Sequence, residues 1–444
     1  MHSLKKQAFG LIGAVSVLFL SCVTMSDYNF NNIDKSIKNG MYDAVYEELC
    51  NPQGVLYTSS DLVLENLDKG LISHYAGEYE RSNGELSEAE TLIRSYYSKS
   101  ITQAAASMLV NDTVIDYAGD PFEDVYTNIF MALNYLQLGK FDDAFVEIRR
   151  FDIKLKEIQQ KYQAQLEKQK KELKDNAVSV PSGEVKFHNS ALARYLSLLI
   201  YRTEGDYDSA RVDYNMMHDA FRLQPSLYDF SFPESVKEEL TFIPDGFGRL
   251  NILAFSGLSP VKVEESIPLY AYDGFYRIAL PVMEKRKSSV AAASVIAVNV
   301  ETGEVYSAHT QKIESIEDIA VDTYAQKYAA IVGKTVARMV SKLVATAALD
   351  TVAEEADDSA VSMIFSILGA ASKINMFVSE RADVRTCRYF PASAYAAGIT
   401  LPEGRYDITV VFKTSSGGKV ETLEYNGVSV SKSGLNLVES YCFK

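Results

Sequence analysis

Cys22 is the side chain whose surroundings point most directly to chemistry. Lys5 and Lys6 precede an uncharged apolar run, Ala8 to Leu20, and Ser21-Cys22 follows it. A basic start, a short apolar run and a small residue make a secretory signal, and this run is too short to remain as a membrane span. The sequence therefore predicts export and loss of this leader. Other constellations offer less. His74, His188, His218 and His309 are far apart, and no His or Cys pair has zinc spacing, so no metal is expected. "GFGRLN" at 246–251 puts Asn251 where a dinucleotide fingerprint needs its third glycine, and "SSGGKV" lacks the spaced glycines of a phosphate loop. No cofactor is expected. Ser256-Gly257 is not a nucleophile elbow, and pairs such as Asp142-Asp143 and Glu238-Glu239 are common in a chain with 59 carboxylates. No catalytic residue emerges, and the chain reads as a non-enzyme.

The stretch "LFLSC" (18–22) resembles the lipobox of bacterial lipoproteins, with Phe19 at the place where that pattern favours an aliphatic residue. The resemblance implies removal of residues 1–21, acylation of Cys22, with palmitate among the chains, and a stable membrane anchor, because several chains on one residue hold where a single one does not. The alternative is an ordinary signal peptide cut elsewhere, with Cys22 incidental. Val23 after the cysteine resembles the outer-membrane sorting pattern of some bacteria. Losing Lys5 and Lys6 with the leader takes the formal charge from -15 to -17, which argues against nucleic acid as a partner. Cys50, Cys387 and Cys442 remain. Buried thiols are the expectation for Cys387 and Cys442, the pair that a disulfide would join in an oxidising compartment.

These features need elements to carry them. Residues 22–36 read as a tether, and 37–242 as helical. A short module recurs there: glycine, any residue, an aromatic, then a small or aliphatic residue three further on. The copies are Gly40-Met41-Tyr42 with Val45, Gly77-Glu78-Tyr79 with Ser82, Gly139-Lys140-Phe141 with Ala144, and Gly205-Asp206-Tyr207 with Ala210. Glycine closes one helix through a left-handed turn, the aromatic opens the next, and the small residue lets the two backbones approach. These modules resemble the tetratricopeptide repeat, an α-solenoid of antiparallel helix pairs. The copies stand 37, 62 and 66 residues apart, so divergent or inserted helices are expected over 95–125 and 155–195. Residues 151–175 keep Leu155, Ile158, Tyr162, Leu166 and Leu173 on one thin stripe. They read as an extended repeat helix, or as a protruding partner-binding arm. Tyr75, Tyr79, Tyr135 and Tyr207 are expected to fill gaps between helices.

From 243 to 444 short β-branched runs alternate with turn residues, which predicts a β-rich domain, a small sandwich. A hairpin is expected across Ser416-Gly417-Gly418, and a helical insertion over 322–379. Within it, 360–378 carries only Lys373 and reads as a helix packed inside protein, with a bilayer crossing as the alternative. Lys334, Arg338 and Lys342 form a basic stripe before it. The fold class is thus α+β and multidomain.

The whole layout resembles a family of uncharacterised bacterial lipoproteins that join tetratricopeptide-like helices to a β-rich C-terminal region. "GLISHYAGEYERSN" (70–83), "ALNYLQLGKFDDAFVEIRR" (132–150) and "SGLSPVKVEESIPL" (256–269) carry the likeness, with "ADVRTCRYFPA" (382–392) in support. It implies a place in the bacterial cell envelope, periplasmic or surface-exposed, and no activity. The leading expectation is a lipid-anchored scaffold that binds an envelope protein or peptide through a helical groove. The alternatives are an accessory small-molecule binding lipoprotein of a transporter, and an envelope-polymer enzyme.

Overall fold

The structure, a computed structural model, describes residues 28–102, 113, 115–174, 184–271, 274–349 and 381–444. The leader, Cys22, the first part of the tether, residues 175–183, and residues 360–378 lie outside them.

Four glycines organise the helical half. Gly40, Gly77, Gly139 and Gly205 all take left-handed φ, from 68° to 80°. In each turn the next N–H reaches back five residues: Met41 to Ser36, Glu78 to Ser73, Lys140 to Tyr135, and Asp206 to Tyr201. This satisfies carbonyls left orphaned at a helix end. The aromatic two places after each glycine opens the second helix of a pair. The pairs are α1 (Asn31–Lys38) with α2 (Tyr42–Cys50), α3 (Leu62–Tyr75) with α4 (Tyr79–Thr102), α5 (Pro121–Gln137) with α6 (Phe141–Lys174), and α7 (Ala191–Glu204) with α8 (Tyr207–Leu223). Val45, Ser82, Ala144 and Ala210 are buried between the members of each pair. At the closest approach Ser82 Oγ donates to the Gly70 carbonyl at 2.7 Å. Gly205→Ala should therefore cost about 1–2 kcal/mol through its left-handed turn. Gly84→Ala, inside α4 with open space around its Cα, should instead gain about 0.5–1 kcal/mol. Urea midpoints of the two variants test these opposite signs.

The irregular spacing of the copies has a simple cause. The second helices α4 and α6 run to 24 and 34 residues. Among the described residues, elongation fills the gaps for which the sequence suggested extra helices, and 151–174 simply continues α6. Local signals start the buried helices: Asp120, Pro121 and Glu123 form a capping box on α5, and Ser190 caps α7.

A 3₁₀ turn (Glu234–Leu240) leads into the strands β1 (Phe247–Leu258), β2 (Val261–Ala271), β3 (Gly274–Glu284), β4 (Ala292–Asn299), β5 (Val305–His309) and β6 (Gln311–Ser315). Helix α9 (Ile316–Leu349) and strands β7 (Pro391–Pro402), β8 (Gly404–Lys413), β9 (Lys419–Val430) and β10 (Asn436–Cys442) complete the order. The chain is therefore mixed α and β, with helices first. The expected hairpin at 416–418 is the β8–β9 turn. Helix α9 starts at 316, six residues before the expected 322, and at its start the Ser315 hydroxyl donates to the Asp318 carboxylate.

One four-stranded sheet has the order β10-β1-β7-β6, the other β5-β4-β8-β9, and β2–β3 is a separate hairpin. Strand β1 lies at the centre, parallel to β10 and antiparallel to β7. Its side chains alternate between two cores. Leu253 and Phe255 join the core of the helical pairs, while Leu250, Ile252 and Ala254 face the second sheet. Phe130 of α5 lies 6.1 Å from Phe255 and 5.7 Å from Phe390, ring centre to ring centre. One hydrophobic core thus crosses the change from helix to strand at 242/243. The first helices α3, α5 and α7 are buried on nearly every side, between their partner helices and the first sheet.

Candidate functional site

The cover that the first sheet gives the helices stops at β10, an edge strand. Beyond it opens a cleft of about 770 Å³. Its roof is formed by the glycine turns of the first two pairs, around Gly40 and Gly77. Leu423 and Tyr425 of β9, the edge strand of the second sheet, form the opposite wall. The volume falls within the range of sites that enclose a small ligand or part of a larger one.

Six aromatic side chains, Tyr42, Tyr75, Tyr79, Tyr425, Tyr441 and Phe443, are part of its lining. Tyr42 and Tyr75 lie 5.7 Å apart, Tyr75 and Phe443 4.9 Å, and Tyr441 stacks on Phe255 at 5.2 Å. Tyr75 is fixed by its hydroxyl, which donates to the Tyr389 carbonyl at 2.7 Å. The hydroxyls of Tyr42 and Tyr79 have no hydrogen-bond partner among the described residues, although both side chains line the cleft. Burial and the nearby Glu439 push the Tyr79 hydroxyl up to about 12, so it stays a donor at any physiological pH.

The floor is polar and buried. His74, only 2% exposed, places Nδ1 2.6 Å from Asn134 Oδ1. The Asn134 amide nitrogen donates to Ser82 Oγ and Asn83 Oδ1 at 2.8 and 2.9 Å, which turns its oxygen toward His74. His74 Nδ1 therefore carries a proton. Its Nε2 lies 2.5 Å from the Tyr441 hydroxyl and 3.2 Å from Glu439 Oε2. Gln137 Nε2 donates to Glu439 Oε1 at 2.6 Å, and the Tyr441 hydroxyl bonds the other oxygen. Burial pushes the Glu439 carboxyl up, but His74 and the donors Tyr441 and Gln137 outweigh it and hold the group below the usual range. At the rim Lys444 pairs with Glu421. The result is an apolar bay with a fixed, ionised polar end.

No family model, curated protein or solved structure matches the chain. Function must be argued from geometry.

The structure places the residues singled out in the sequence as follows. Cys22 lies outside the described residues. Cys387 and Cys442 are separate, buried thiols, and Cys50 is exposed. Tyr75 and Tyr79, expected only to fill gaps, line the cleft, whereas Tyr135 and Tyr207 do not. His74, which resembled an isolated histidine, anchors its floor. Asp142 and Asp143 are exposed on α6, but Glu239 is fully buried between Arg202 and Arg249. Asn251 is spent on a hydrogen bond to the Tyr195 hydroxyl at 3.0 Å. Among the described residues, no His/Cys/Asp/Glu group could hold a metal, and no helix is long and apolar enough to cross a membrane.

A second charged cluster is sealed inside the protein. Asp120 pairs with Lys262 at 2.8 Å and Lys327 at 2.6 Å, and the Tyr117 ring faces both amines and the guanidinium of Arg385. Nearby, burial pushes the Asp68 carboxyl up to about 7, against the pull of its bonds from Cys387, Tyr57 and the Arg388 N–H. An unfolded aspartate titrates near 3.9. The native state thus holds this proton more tightly, and the stability it contributes is full below pH ~4 and lost as pH rises through 7. Thermal or urea unfolding at pH 5 and pH 8 should show Asp68→Asn losing about 2–3 kcal/mol less over that interval than the parent. Equal pH slopes would refute this.

Proposed function

We propose that the chain is a lipid-anchored, extracytoplasmic binding protein whose ligand sits in the cleft beside β10. In this reading Cys22 carries the lipid, the helix pairs form a tetratricopeptide-like array, and the C-terminal strands form a small sandwich. The observation that carries it is the aromatic bay with a buried, pre-bonded polar end at a sheet margin. Such a site needs no rearrangement to receive an apolar group with one polar end. The face that stacked helix pairs would offer to a partner is covered by the protein's own first sheet, which favours the cleft over a helical groove. Binding is favoured over catalysis because both His74 nitrogens and both Glu439 oxygens have partners within the protein. A general base needs a free lone pair aimed at substrate.

The partner in the first reading is a peptide or protein segment of the envelope. A second reading, a small-molecule carrier serving a transporter, is favoured by the cleft volume alone. Dye-labelled eight-residue peptides and a set of small aromatic compounds, titrated onto the full chain by anisotropy or calorimetry, test both. The expected result is a saturable binder weakened at least tenfold by Tyr79→Arg or Leu423→Glu, and unchanged by Val212→Arg on the exposed side of α8. Binding indifferent to the two cleft variants would sink the proposal. The anchor is tested separately: palmitate should label the parent and not Cys22→Ser, which should leave the membrane fraction.

A further inference from the structure

We infer that the cleft recognises an extended peptide, which pairs as an added strand with the free edge of β10; this rests on the cleft being the binding site. Three observations converge on it.

The first is where the cleft runs. Leu437, Glu439 and Tyr441 project from β10 toward the helices, while Val438 and Cys442 project into the core between the sheets. All five line the cleft. Side chains of both faces border one space only if that space lies along the strand edge between them.

The second is hydrogen-bonding capacity. Among the described residues strand β10 pairs with β1 alone, from Asn436 to Cys442. Among the described residues, no backbone group of Leu437 to Tyr441 bonds to any other segment. A paired strand directs alternate N–H and C=O groups outward, and an unpaired row of this kind is a template for another strand.

The third is continuity. The first sheet covers α3, α5 and α7 up to β10, and beyond that edge the end of α1, the Gly40 turn and Tyr42 of α2 line the cleft. The space beneath the Gly40 turn is where a fifth strand of that sheet would run. A peptide there would extend the sheet on one side and continue the cover of the helical core. Its alternate side chains would meet Tyr42 and Tyr79 on the helix side, and Leu423 and Tyr425 on the other. Main-chain bonds then give affinity, and these two walls select bulky apolar or aromatic side chains at alternate positions.

Strand addition has a signature that side-chain docking lacks. In the peptides bound by the full chain, each backbone amide is N-methylated in turn and the affinity remeasured. Methylation at amides facing β10 should weaken binding at least tenfold, and methylation at the intervening amides by less than twofold. A peptide that binds with Tyr79 and Leu423 dependence but tolerates every N-methyl group would overturn strand addition while leaving the cleft as the site. Binding confined to small aromatic compounds would have the same meaning. No ligand sensitive to Tyr79→Arg in either set would overturn both.

Discussion

Glu314→Leu is expected to destabilise the protein by about 3–5 kcal/mol, the largest loss from any single side chain considered. Glu314 is fully buried at the end of β6, and among the described residues it forms no ion pair. Burial pushes its carboxyl up, and four groups draw it back: the hydroxyls of Tyr126, Ser190 and Tyr228 and the N–H of Leu192. Tyr126 donates at 2.5 Å, Ser190 at 2.8 and 2.9 Å, Tyr228 at 2.8 Å and Leu192 at 3.0 Å. These donors come from α5, from the start of α7 and from the segment after α8, so one carboxylate ties three parts of the helical half to the first sheet. It also lies at the N-terminus of α7, where the helix dipole favours negative charge. Leucine fills the space but orphans the donors, each costing about 1–3 kcal/mol when buried unpaired. Glu314→Gln keeps an acceptor and should lose less than half as much. Urea unfolding of the two variants checks the order, and a leucine variant within 1 kcal/mol of the parent would refute it.

Gly398→Ala should cost about 3 kcal/mol or more for the addition of a single methyl group. Gly398 sits in β7 opposite Asn251 of β1, and a Cβ there would overlap Glu239 Oε1 and Arg249 Nη2. Those two atoms belong to a buried chain in which Arg202 and Arg249 share Glu239, and Arg249 also bonds Glu238 at 2.7 Å and Thr400 at 3.1 Å. None of these groups can turn away without leaving a charge unpaired in the interior. A thermal midpoint for Gly398→Ala equal to that of the parent would show that the network yields more easily than its packing suggests.

The helical half was legible because its signal is local. Glycine, the aromatic two places on and the small residue after it lie within six positions, and each copy forms a left-handed glycine turn between two helices. The strands were legible as runs, and the short β6 was not, since five residues of mixed polarity carry little pattern. The site was hidden for a different reason: His74 and Glu439 stand 365 positions apart, and Gln137 and Glu439 stand 302 apart. Two hints existed. Glu439 interrupts the otherwise apolar face of Leu437, Tyr441 and Phe443, and His74 stands in a helix turn whose neighbours Leu71, Ile72 and Tyr75 are all apolar. A charged residue on a buried face marks a network, but sequence does not say which partners meet it. That the first sheet would cover the helix pairs was equally invisible. It depends on which face of β1 meets which helix, and β1 carries apolar residues on both, Leu253 and Phe255 on one and Leu250, Ile252 and Ala254 on the other.

The most direct measurement places a photocrosslinking benzophenone residue at position 79 of the full chain in living cells, and at position 212 for comparison. A discrete adduct from position 79 and none from position 212 is the predicted result. Adducts arising only from 212, or equally from both, would contradict a ligand held beneath the glycine turns.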